Sequence, residues 1–200
     1  MNKLALSAAG LALAVAIGAC ATPQQAAAPV TSTAPVNALA FTPDGKLVIP
    51  PNRDRWVTLG TTYALSYEGD GGTTFNAVRM DPASYESYVR TGVIPVGAML
   101  DLEVRRPVEE VAPARGGHTQ GAAVGRSMHV KDDKSGPGTW TFYTYPAAGG
   151  AGTAIPRTQA CYTCHEQHAG TTDTVFMQFY PAMTEARARF AAAASAAPAQ

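Results

Sequence analysis

Ala98-Met99-Leu100-Asp101-Leu102-Glu103-Val104 decides the fold. Leu100, Leu102 and Val104 fall on one side of an extended chain, and Met99, Asp101 and Glu103 on the other. Successive side chains of a strand point to opposite faces, so this alternation reads as a half-buried strand. Working outward, Ser127 to Lys131 and Thr139 to Tyr145 also read as strands, the second rich in aromatics and threonine, and Thr73 to Met80 is a fourth. Asp44-Gly45, Gly69 to Gly72, Gly116-Gly117, Gly136 to Gly138 and Gly149-Gly150 punctuate the short apolar runs as turns or loops. One helix is well signalled between strands. Asp81 is its N-cap, Pro82 its first residue, Tyr85, Tyr88 and Val89 share a face, and Gly92 is the stop. A second helix is expected near Pro51, carrying Trp56, and Ala112 to Gly125 reads as a mobile surface loop. The sum is an α+β domain over residues 41–183: a predominantly antiparallel sheet with a few peripheral helices.

Composition narrows the function classes. The chain has 200 residues, 46% hydrophobic and only 15% charged, with 15 Lys plus Arg against 15 Asp plus Glu. A neutral chain lacks the basic footprint of a protein that grips phosphates, so no nucleic-acid partner is expected. There is no internal repeat, and alanine is concentrated at the two ends.

Those ends read as targeting and tether. Residues 1–19 have a basic start at Lys3 and an apolar stretch from Leu4 to Ile17, too short for a spanning helix of about 20 residues. Ile17-Gly18-Ala19-Cys20 resembles the lipobox of bacterial lipoproteins, in which the peptide is cut before the cysteine and the cysteine is acylated. The alternative is an ordinary signal peptide or membrane anchor with an incidental cysteine. Cys20 is thus the lipidation candidate, and Ala21 after it resembles the outer-membrane sorting pattern. The expectation is a protein on the periplasmic side, held to the membrane by its N-terminal lipid. Residues 20–40, rich in Ala, Pro, Thr and Gln, are a tether. Residues 184–200 are a tail, with a short helix from Thr184 to Phe190 that runs into frayed, Ala-rich chain.

Cys161-Tyr162-Thr163-Cys164-His165 carries the chemistry. Two thiols three residues apart can add to the two vinyl groups of one haem, and the adjacent histidine then becomes an axial ligand of the iron. The competing readings are a disulfide, a thioredoxin-like pair and half of a zinc site. Zinc wants four ligands and finds no second Cys pair, and the βαβ context of a thioredoxin-like pair is absent. The expected cofactor is therefore one covalent haem c per chain, held by Cys161 and Cys164 with His165 on the iron. His168 shares the helix face of His165 if the segment is helical, and reads as a solvent or propionate neighbour. Met80, Met99, Met128, Met177, His118 and His129 are the candidates for a sixth ligand. A ligand among them would make an electron carrier, whereas an open position would make a gas-binding or catalytic haem.

At this point the chain resembles the cytochrome P-460 family, which includes the cytochrome c-prime-beta branch. The resemblance covers about Phe41 to Ala182 and rests on motifs in order. These are Arg53-Asp54-Arg55-Trp56, Phe75 to Pro82, Ile94 to Met99 with Glu103, and Met128 to Asp132. Trp140-Thr141-Phe142-Tyr143, the Cys161 to His165 motif and Phe176-Met177-Gln178-Phe179-Tyr180-Pro181 complete the series. The resemblance implies a mainly antiparallel β fold, a homodimer and a five-coordinate haem with His165 proximal. It also implies a small nitrogen ligand, nitric oxide or hydroxylamine, and a periplasmic electron-transfer partner. Members that oxidise hydroxylamine carry an extra lysine–haem link, whereas the c-prime-beta branch lacks it and binds nitric oxide. Beyond Lys3 the chain has only Lys46, Lys131 and Lys134, none in the Ala98 to Val104 strand, which ranks nitric oxide above hydroxylamine. Lys131 and Lys134 read as solvated surface residues. Glu103, Asp101 and Arg79 are the candidate polar residues of a distal pocket, with a carboxylate there as a proton relay. The competing reading places Asp101 and Glu103 on the solvent face, and Arg79 on a haem propionate. The alternative function is a six-coordinate electron-transfer cytochrome c.

Overall fold

The computed structural model describes residues 37–66, 72–133 and 139–196. Among them, β1 (Leu47–Val48), β2 (Val57–Tyr63), β3 (Phe75–Met80), β4 (Met99–Glu109), β5 (His118–Lys131), β6 (Trp140–Thr144) and β7 (Ala151–Ala154) form one antiparallel sheet. The order across the sheet is β1-β7-β6-β5-β4-β3-β2, so β2 to β7 each lie beside their sequence neighbours and β1 closes the far edge. Helices α1 (Pro82–Thr91), α2 (Ala160–Ala169) and α3 (Pro181–Ala196) complete the α+β architecture. None of the described helices is long and apolar enough to cross a membrane. The expected leader, Cys20 and most of the tether lie outside the described residues.

The strand that anchors the reading is present, but it is covered on both faces rather than one. On the first face, Leu100 packs with Val78, Met80 and Phe142 against Tyr88 of α1, Tyr162 of α2 and Met183 of α3. On the second, Leu47, Ile49 and Trp56 lay the N-terminal segment over Met99, Met128, Val130 and Tyr143. The second layer is what a half-buried pattern does not reveal, because here the buried partners of the sheet include charges. Asp101 is 0% exposed and Glu103 1%.

Helix α1 starts and stops where its caps require. Asp81 Oδ1 accepts from the Ser84 amide at 2.8 Å, and Oδ2 accepts from the Met99 amide at 2.9 Å, so one carboxylate caps the helix and ties it to β4. Gly92 ends it at φ 71°, with its amide donating to Tyr88 O at 2.8 Å.

Three expectations need correction. The helix near Pro51 is a single 3-10 turn, Arg53–Arg55, after which Trp56 turns extended and β2 begins. The loop expected over Ala112 to Gly125 is largely strand, because β5 starts at His118 and pairs with β4 out to Glu109. Gly121 misleads there: a Cβ on it would lie 2.6 Å from Val108 Cγ2, so the glycine serves close packing rather than a turn. The third concerns the end of the domain. Helix α3 runs unbroken through the expected boundary at residue 183, buries Met183 and Ala186, and brings the Phe190 ring against Gly92.

Candidate functional site

Helix α2 presents the Cys161 to His165 motif, and the residue between the first cysteine and Thr163 is its anchor. Tyr162 is buried and stacks on Phe142 at 4.3 Å, with the rings 3° from parallel. Its oxygen accepts from the Phe142 amide at 2.9 Å, and its hydroxyl donates to Ile155 O at 3.3 Å. That lock against β6 fixes what the neighbouring side chains show. Cys161 and Cys164 stand one turn apart as free thiols, the first exposed and the second half-buried.

His165 sits among aromatic rings, with centroids 4.6 Å from Phe176, 4.9 Å from Phe142 and 5.0 Å from His129. Its Nδ1 lies 2.7 Å from Thr174 O. A carbonyl only accepts, so the proton belongs on Nδ1 and the lone pair on Nε2 is free for a metal. Burial holds the imidazole below its usual pKa, and the hydrogen bond to Thr174 opposes that only in part. His129 is pushed down to about 3, first by burial and then by the charge of His165, so its ring is neutral.

These rings border a cleft of roughly 870 Å³, its open mouth included. Its sheet wall is made by Thr62, Asn76, Val78, Leu100 and Leu102, and its other wall by Thr174 to Phe176, Phe179 and Tyr180. The walls meet closely at Gly60, where a Cβ would lie 2.2 Å from Phe179 O.

Asp101, Glu103 and Arg79 are not in the cleft. Since Leu100 and Leu102 face it, the odd-numbered residues of β4 must face the other way, and Arg79 follows by its pairing with Asp101. The expectation of a distal role for these three is not met by their placement, and neither is the solvent-face alternative. Asp101 accepts a hydrogen bond from Tyr145 and lies 3.4 Å from Arg79 Nη1 and 3.6 Å from Arg53 Nε. Glu103 pairs with Arg105 and Arg126 and lies 3.5 Å from Arg79 Nη2. Burial pushes Glu103 up, but the Arg105 hydrogen bond and the charges of Arg126, Arg105 and Arg79 outweigh it and hold the carboxyl below its ordinary range.

The remaining candidates also separate. Met80, Met99, Met128 and Met177 are core residues, and Met177 Sδ accepts from the Tyr88 hydroxyl at 3.7 Å. His118 lies out on β5 beside Tyr63 and Glu109, and His168 is exposed. Of the six sixth-ligand candidates, only His129 borders the cleft. Lys46 pairs with Asp44 on the surface, Lys134 lies outside the described residues, and Lys131 is buried rather than solvated. The Thr174 carbonyl had no signal in the sequence, since a backbone acceptor nine residues away depends on the turn after α2.

Residues 50–177 match the family model described as Cytochrome P460. The chain belongs to the cytochrome P460 family. The match spans β2 to β7, α1, α2 and the His165 turn, so the resemblance read from ordered motifs and the α+β fold agree with it. As a cytochrome P460 protein, the chain is a haem-binding cytochrome. The donor chemistry of helix α2 fits that group: two free thiols stand one turn apart beside an imidazole that borders the cleft with a free Nε2. No cluster of three or more His, Cys, Asp or Glu among the described residues is arranged to hold a bare metal ion. Comparison with curated proteins gives no match.

Proposed function

We propose that this cytochrome P460 protein carries one c-type haem, with its vinyl groups joined to Cys161 and Cys164 as thioethers and its iron on His165 Nε2. The opposite side of the iron is left open for a small nitrogen ligand, nitric oxide ahead of hydroxylamine. When bound, the haem supplies an iron centre that takes up such a ligand. The chain holds and orients that centre: Tyr162 sets the helix, Thr174 O sets the imidazole, and Val78, Leu100, Leu102 and Phe176 exclude water.

The observation that carries this reading is the His165 imidazole, with Nδ1 committed at 2.7 Å and Nε2 free at an apolar cleft. Support for an open side comes from the methionines, which are occupied in the cores, and from His129. Two nitrogens on opposite sides of one metal are about 4 Å apart from two bonds of roughly 2 Å each, and half of each ring adds to that. The His129 and His165 centroids are only 5.0 Å apart and edge-to-face, and Phe142 stacks on His129 at 3.7 Å. Nitric oxide ranks first because, among the described residues, no lysine borders the cleft.

Export, a lipid on Cys20, an outer-membrane position facing the periplasm and a periplasmic electron-transfer partner belong to the same proposal, supported by Leu4 to Cys20 and by the cysteine motif. A homodimer is proposed as well, supported by Val108 and Val124 standing exposed on the β4–β5 ribbon.

The test is the optical spectrum of the dithionite-reduced holoprotein, with haem staining after denaturation. An ordinary high-spin ferrous c-haem spectrum that changes on adding nitric oxide is expected. Staining should be lost in the Cys161→Ala, Cys164→Ala double variant. A strongly red-shifted Soret band would instead mean a lysine link and put hydroxylamine oxidation first. A low-spin spectrum indifferent to ligands would mean an electron carrier.

A further inference from the structure

Thr174, whose carbonyl accepts from His165 Nδ1, sits at φ 56°. A β-branched residue in the left-handed region is a conformational outlier, and it persists only where its surroundings over-determine it. Asp173 before it is left-handed too, at φ 58°. The turn closes on α2 through the Thr174 amide, which donates to Ala169 O at 2.8 Å. Its other anchor is on the sheet. Asp173 Oδ2 accepts from Lys131 Nζ at 2.7 Å, and Oδ1 accepts from Trp140 Nε1 at 3.3 Å. Lys131 is itself held, because it is buried and its Nζ also donates to Ile94 O at 2.9 Å. A cation fixed at the end of β5 therefore fixes a carboxylate, and the carboxylate sits next to the carbonyl that orients the imidazole.

We infer that the Lys131–Asp173 ion pair is a positioning device for His165: it pins the strained turn so that the Thr174 carbonyl stays on Nδ1 and strengthens Nε2 as a donor to the haem iron. Partners one step out from a metal's ligands orient those ligands and raise their basicity. The inference rests on the proposed ligand role of His165. It also gives the buried lysine a role other than a link to haem.

The experiment is resonance Raman of the iron–histidine stretch in the ferrous holoprotein, for Lys131→Met, Asp173→Asn and the double variant. Pinning predicts that both single variants lower the frequency, although they change charge in opposite senses. The double variant should fall no further than the larger single effect. Met183→Ala serves as the packing control, with lower stability and an unmoved band. Trp140→Phe removes the second donor and keeps an aromatic ring in the cleft wall, and it stands in for Lys131→Met if that variant fails to hold haem, with a smaller shift of the same sign. Unmoved bands in the singles, or shifts of opposite sign that mark a field effect alone, would overturn the inference. His165→Gly separates the two levels. Its band should vanish while haem stays attached; a persisting band would remove the ligand assignment and the pinning with it, whereas a vanished band beside unmoved bands in Lys131→Met and Asp173→Asn would remove the pinning alone.

Discussion

Glu103 shows how little a residue's type says without its side of the strand. It is a carboxylate at 1% exposure, and it persists there because Arg79, Arg105 and Arg126 converge on it. Removing one partner of a buried charge set leaves the others uncompensated, at a cost of about 3–5 kcal/mol. Glu103→Gln is accordingly expected to lower stability by about that much near neutral pH, measured by urea unfolding of the holoprotein. The pH dependence carries the sign. A carboxyl whose folded pKa is depressed contributes stability above its unfolded value, 4.5 here, and loses it as pH falls toward and through the folded one. The native chain should therefore weaken on acidification below about pH 4.5, and the variant should show a flatter profile there. An equally steep profile in Glu103→Gln would assign the acid sensitivity to other groups. The strand alternation already contained this arrangement: once Leu100 and Leu102 face the cleft, Asp101 and Glu103 cannot. What it could not show was Arg79 and Arg126, which reach Glu103 from β3 and β5, whereas Arg105 follows it on β4 itself.

Among the elements, those with local signals were legible. Helix α1 declared itself through Asp81, Pro82 and Gly92, because caps act within a few residues of the helix end. Asp81 also reaches the Met99 amide, so Asp81→Ala removes a cap and orphans a buried donor in β4. The two losses together should cost about 2–4 kcal/mol in chemical denaturation. A cost below about 1 kcal/mol would mean that the tie to β4 contributes nothing. Strand β2 was not legible. Gly60 interrupts its Val and Thr pattern, and the reason for that glycine lies across the molecule at the Phe179 carbonyl. The β4–β5 ribbon was missed on the same grounds, since Gly121 yields to Val108 and not to a turn. The site divides in the same way. Cys161, Cys164 and His165 stand in one local motif, whereas the carbonyl on Nδ1 and the ion pair behind it come together only after α2 reverses direction.

The whole molecule is a sheet whose two sides do unlike work. One side, with α1, α2 and α3, builds the cleft around His165, and the other, under the N-terminal segment, holds the arginine–carboxylate set. β4 serves both through alternate residues. In evolutionary terms this constrains the length of the stretch from Ala98 to Val104 more tightly than its spelling. A change of identity at one position disturbs one side alone, and the other side can compensate over time. A gain or loss of a single residue rotates everything after it to the opposite side, with carboxylates thrust toward an apolar cleft and leucines among guanidinium groups. Deleting Leu102 should therefore abolish soluble holoprotein, whereas Leu102→Ile should retain it, scored by haem-stained protein in the soluble fraction. Homologous chains should then differ by insertions in the turns and the ribbon tip, and keep this seven-residue interval ungapped.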